Sequence, residues 1–194
     1  MTSILEVEQL DTLSSNASST LTIGGDNTTT IAFGPNVTTT PSSLANTPTF
    51  MAVQGSDQSI AYNTWTKCQL SSVKYDTASA FDNTTNYRWT VPSGADGLYN
   101  FVFNGYLYYV DANERVEVRI YKNGSDAGSG STEGSSTFRF QAGAINTEVN
   151  MVGAWSDQLV AGDYIELYAL HTNSAGNQTL DRSTYLMGYK IIGV

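Results

Sequence analysis

GLYNFVFNGYLYY, residues 97–109, followed by RVEVRIYKNG, residues 115–124, decides the fold. In the second run Val116, Val118 and Ile120 alternate with Glu117, Arg119 and Tyr121. Successive side chains of a strand point to opposite faces, so this spacing gives one apolar and one polar face. Asn123 and Gly124 end the run with a pair that tolerates positive φ, as a two-residue hairpin turn requires.

The same texture extends in both directions. Short runs of β-branched and aromatic residues, punctuated by Gly, Asn, Asp and Pro, predict strands at Phe50 to Val53, Thr64 to Val73, Asn86 to Thr90 and Gly97 to Tyr109. Further strands are predicted at Arg115 to Lys122, Ser136 to Phe140, Asn150 to Leu159, Asp163 to His171 and Thr184 to Ile192. From Phe50 onward no stretch carries a helical stripe. The predicted class is all-β, a jelly-roll or sandwich over residues 50–194.

Composition agrees. Of 194 residues, 60 are Ser, Thr or Asn and only 14% are charged, against roughly 25% in average globular chains. Neutral polar groups therefore cover the solvent face, while 40% hydrophobic residues supply a core. A net charge of −9 argues against a nucleic-acid or anionic-membrane partner, since both need clustered Lys and Arg. No window approaches a spanning helix and MTSILEVEQL lacks the pattern of a secretion signal, so synthesis in a host cytoplasm is expected.

Residues 1–49 differ from the rest: 23 are Ser, Thr or Asn, and none is Lys or Arg. TLTIGGDNTT (20–29) aligned with TIAFGPNVTT (30–39) pairs Leu21 with Ile31, Ile23 with Phe33 and Gly24 with Gly34. Each copy reads as a short strand and a Gly-led turn, which buries its apolar side only against copies or a neighbour. Ile4, Val7, Leu10 and Leu13 recur every three residues, on one side of a helix too short to stand alone. The segment is expected to be an N-terminal β-repeat stem or docking arm, with these eight apolar residues as docking candidates.

Tyrosine is the second signal. Tyr106, Tyr108, Tyr164, Tyr168, Tyr185 and Tyr189 exceed what one core hides, and tyrosine is enriched at interfaces. All six are candidates for an oligomer interface.

The series from Phe50 to Tyr106 resembles the first half of a C1q-like, or tumour-necrosis-factor-like, domain. The matching positions are Phe50 and Ala52, Asn63, Asp76, Phe81 and Asp82, Val91 and Pro92, and Gly97, Tyr99 and Phe101. VRIYKNG, the run Leu159 to Leu167 and the closing YLMGYKI resemble the remaining core strands. The resemblance implies a jelly roll that assembles as a homotrimer, with aromatic strands of the inner sheet near the threefold axis. The Thr-rich repeat in place of a collagen stalk is similar to C1q-like modules of bacteriophage structural proteins. A virion knob or fibre is therefore expected, held on another virion protein by residues 1–49. Its role would be capsid decoration (head fibre) or host attachment (tail fibre), with a host surface glycan or protein as a further partner. The alternatives are a secreted recognition or adhesion module and a polysaccharide hydrolase.

Catalytic, metal and cofactor sites are not expected. His171 is the single histidine and Cys68 the single cysteine, the latter inside the strand-like run WTKCQL. GSDAGSGSTEG, residues 124–134, lacks the ending of a phosphate loop. The loops Gly124 to Ser136 and Thr172 to Gln178 are expected together at the end of the head far from the stem, as candidate contacts.

Overall fold

The computed structural model describes residues 46–128, 136–143, 147–172 and 176–191. The repeat and the docking candidates Ile4, Val7, Leu10, Leu13, Leu21, Ile23, Ile31 and Phe33 lie outside the described residues.

Fourteen strands and no helix make up the described chain: β1 Thr49–Val53, β2 Gln58–Ile60, β3 Thr66–Lys67, β4 Ser72–Asp76, β5 Phe81–Asp82, β6 Arg88–Thr90 and β7 Gly97–Val110 come first. β8 Arg115–Lys122, β9 Ser125–Asp126, β10 Thr137–Gln141, β11 Thr147–Leu159, β12 Tyr164–His171, β13 Gln178–Leu180 and β14 Tyr185–Lys190 complete them. They form two antiparallel sheets. The first runs β2-β13-β7-β14-β1-β4, with β11 on the other edge of β7; the second runs β10-β8-β12-β6-β5, with β3 on β12 and β9 on β8.

The core lies between the sheets and is built by strand alternation. Tyr99, Phe101, Phe103 and Leu107 of β7 meet Val116, Val118 and Ile120 of β8 and Ile165, Leu167 and Ala169 of β12, all fully buried. Phe50 stacks on Trp89 with centroids 5.0 Å apart, and Phe101 on Trp155 at 5.9 Å. The Phe101 and Phe50 rings, from the strands on either side of β14, lie over Gly188. A Cβ on Gly188 would sit 2.5 Å from the Phe101 ring and 2.8 Å from the Phe50 ring.

Two expectations are corrected by the topology. The run Thr64 to Val73 is not one strand: β3 pairs with β12 in the second sheet and β4 with β1 in the first. Between them the chain crosses from sheet to sheet, with Cys68 and Leu70 buried at the crossing. The two candidate loops do not share an end. β8 and β12 bring Lys122 beside Ile165 and put Asn123 N–H on the Tyr164 carbonyl, close to where β1 begins; His171 lies opposite Val116 at the other end. The described part of the first loop therefore starts at the β1-entry end and that of the second at the far end. Residues 129–135 and 173–175 of these loops lie outside the described residues.

Candidate functional site

Five strands of the first sheet, β11, β7, β14, β1 and β4, carry an outer face whose cross-strand rows are set by register. The central row is Ala154, Val102, Met187, Met51 and Tyr75. One step towards the far end lie Val152, Asn104, Tyr185, Val53 and Ser72; one step the other way lie Ser156, Asn100, Tyr189 and Thr49. No side chain in these rows is charged. Val152 is 56% and Tyr75 41% exposed, so apolar surface remains open. Asn104 donates to Asn150 Oδ1 at 2.6 Å, but its own Oδ1 is buried without a hydrogen-bond partner. A buried unpaired acceptor costs about 1–3 kcal/mol, which a donor on a partner surface would recover.

Further along the same face the rings of Tyr106 and Tyr108 lie 5.0 Å apart. Tyr106 donates its hydroxyl to Glu148 and Tyr108 donates to Asp181. These bonds need the protonated phenol, so the carboxylate partners push both hydroxyls up to about 12.

Tyr164 and Tyr168 belong to the other sheet. The Arg88 guanidinium lies 4.1 Å from the Tyr164 ring centroid; Tyr168 stacks on Tyr121 at 3.9 Å, with Lys67 Nζ 5.8 Å from its centroid. Lys67 also pairs with Glu166 at 2.5 Å, and Arg119 lies 4.1 Å over Trp65. The two sheets share the core and their outer faces point apart. The six tyrosines are thus split: Tyr106, Tyr108, Tyr185 and Tyr189 lie on one face, Tyr164 and Tyr168 on the opposite one. Alternation within each strand reveals the facing residues but not the sheet that the strand joins.

Neither His171 nor Cys68 is placed for catalysis. The His171 ring is buried with Nε2 3.1 Å from the Ile60 carbonyl, and burial pulls its pKa below the ordinary value against opposing contributions from that carbonyl and Glu114. Burial pushes the Cys68 thiol far up, which suppresses the thiolate nucleophile. Among the described residues, no three His, Cys, Asp or Glu side chains gather as a metal site.

No protein-family model matches the sequence, and no curated protein does. Solved structures do. The globular domain of zebrafish complement 1qA protein superposes with a TM-score of 0.54 at 15% identity, covering 76% of this chain and 99% of that one. The fold is the C1q and tumour-necrosis-factor jelly roll. Eiger TNF from S. frugiperda, at 14% identity and a TM-score of 0.47, covers 75% of this chain and 92% of its own. Murine APRIL, at 14% and 0.49, covers 74% of this chain and 98% of its own. On the broad outer face of β11-β7-β14-β1-β4, three successive cross-strand rows are free of charged side chains.

Proposed function

We propose that this chain is a non-enzymatic recognition and adhesion head that assembles as a homotrimer through the outer face of its first sheet. The observation that carries the proposal is that face: three uncharged rows across neighbouring strands, with exposed Val152 and Tyr75. Covering apolar area gains about 25 cal/mol per Å². The second sheet's face would instead desolvate the more open Arg139, Arg115 and Lys67, at several kcal/mol for each ion. The threefold number comes from the resemblance to the C1q-like family. Sedimentation at micromolar concentration tests it: a trimer is expected, and a monodisperse monomer overturns it.

Within that proposal, the repeat at residues 20–39 and the apolar positions Ile4 to Leu13 form an anchor that seats the trimer on a bacteriophage particle. The protein then acts in capsid decoration or host attachment. Proteomics of purified virions tests this location. A chain lacking residues 1–45 is expected to fold and trimerise yet be missing from particles, and its normal incorporation refutes the anchor. The cut belongs before Pro48, because the Pro48 carbonyl accepts the Lys190 N–H at 3.1 Å and Thr49 already pairs with Tyr189.

A further inference from the structure

The outer face of the second sheet holds a cluster that the trimer does not use. Glu117 is buried at 2% side-chain exposure and is surrounded by three arginines: Arg115 Nε at 2.6 Å, Arg139 Nε at 3.1 Å and Arg119 Nη2 at 3.8 Å. Register explains the convergence. Arg115, Glu117 and Arg119 share a face of β8 by alternation, and β10 pairs Arg139 with Glu117. Arg119 is consumed internally, with Nη1 2.7 Å from Asp126, Nε donating to Thr137 Oγ1 and its plane over Trp65. Its side chain is only 19% exposed.

Arg139 and Arg115 are different. Each approaches Glu117 Oε1 through Nε, and the Arg115 approach is an ion pair lacking hydrogen-bond alignment, which leaves that buried Nε without a hydrogen-bond partner; Glu117 Oε2, 3.8 Å from Arg119 Nη2, also has none. Among the described residues, no partner lies on the Nη groups of either side chain. The two side chains are 59% and 36% exposed. Glu117 thus anchors two guanidinium groups by their inner nitrogens and turns their outer forks to solvent. A surface cavity of about 430 Å³ opens beside them, lined by Arg119, Asp126, Gly128, Thr137 and Arg139. The aromatic ridge of Trp65, Tyr121 and Tyr168 continues the surface across β8 and β12.

We propose that this face binds an anionic glycan, whose carboxylate or sulfate groups sit on the outer forks of Arg139 and Arg115 and whose sugar rings lie along the aromatic ridge. A guanidinium fork matches a planar or tetrahedral oxyanion with two parallel hydrogen bonds. Three arginines face two carboxylates here, which leaves the patch positive within a chain of net charge −9. That balance selects spaced anions. A nucleic acid presents one charge per about 1.7 Å of duplex axis, far denser than two outward forks can match. A glycan separates its anions by neutral rings that suit the Trp and Tyr rims.

This rests on the recognition-head reading, but binding and assembly are read separately. The test is calorimetric titration of the full chain with dextran sulfate, polygalacturonate and neutral dextran of matched length. Binding of the sulfated or the carboxylated polymer, with none of neutral dextran, is expected, and whichever binds more tightly names the anion. Arg139→Gln leaves Arg115 and Arg119 to neutralise Glu117, so it should fold. It is expected to weaken binding about tenfold or more while sedimentation and melting stay unchanged. Lys74→Gln with Arg182→Gln removes two positive charges elsewhere and is expected to change affinity less than twofold. No binding of either polyanion overturns the proposal. So does equal loss in the Lys74/Arg182 variant, which would show unspecific charge attraction, or wild-type affinity in Arg139→Gln.

Discussion

Val152→Glu is the sharpest perturbation of the assembly. Val152 stands on β11 opposite Asn104 and keeps 56% of its surface exposed in the protomer. Full burial of a valine is worth about 1.5–3 kcal/mol. Covering the part still open is therefore worth roughly 0.8–1.7 kcal/mol per copy, or roughly 2.5–5 kcal/mol for three. Losing it alone weakens the trimer by a factor of roughly 10² to 10³ or more. A buried glutamate without a partner adds several kcal/mol per copy, since no Lys or Arg stands in the neighbouring rows. The fold of one protomer should hardly notice, because substitutions at exposed sites usually stay within about 0.5 kcal/mol. The control is Val160→Glu: Val160 is 53% exposed but sits in the turn after β11, with its N–H on Asp163. Sedimentation equilibrium is expected to give a folded monomer for Val152→Glu and a trimer for Val160→Glu. Trimeric Val152→Glu, or dissociation of both variants alike, refutes the assignment of this face.

Gly188→Ala is expected to cost about 1–3 kcal/mol, because its Cβ would enter the Phe101 and Phe50 rings; chemical denaturation measures it, and an unchanged midpoint refutes the close packing. His171 has a lowered folded pKa, so its contribution is fully present above the unfolded value of about 6.5 and is lost as pH falls through the folded one. The melting temperature should drop between pH 7.5 and 5.5 in the wild type and less in His171→Gln; equal drops would place the loss elsewhere. For the anion-binding face, the Val152→Glu monomer should bind a short anionic oligosaccharide as the wild type does but bind the long polymer about 10²-fold or more weakly. Equal polymer binding by both would remove avidity from the account.

The strands that carry the core were legible because each has its own alternation: β8 from Val116, Val118 and Ile120, β12 from Ile165, Leu167 and Ala169. The Asn123-Gly124 hairpin was legible too, and both residues have positive φ, 54° and 78°. β2, β5, β9 and β13 span two or three residues, too few for a period to show, and they exist by pairing with longer neighbours. Long-range pairing also explains the rest. Whether Tyr168 joins Tyr108 or opposes it depends on which sheet β12 enters, and the end at which a loop emerges depends on strand direction. The arginines around Glu117 come from β8 and β10, so only the register of Arg139 with Glu117 brings them together.

A threefold axis against the outer face of the first sheet forces the outer face of the second to point away from it. The charged and aromatic residues then stay outside the assembly, where Lys67, Arg115 and Arg139 keep the solvation that they have in the protomer and add no desolvation penalty. In the proposed trimer the same geometry sets three Glu117-centred clusters on the flanks rather than at the tip. A flat receptor beneath the tip cannot reach all three at once, but a flexible chain running around the flank can. Each fork supplies modest affinity at an exposed site, where screening by salt is strong. Three engaged together convert that into retention through effective concentration. In the proposed trimer, burial of the uncharged rows would thus do more than hold the subunits: it would fix the direction of the charged face, and a long anionic polymer is the proposed partner whose shape suits that direction.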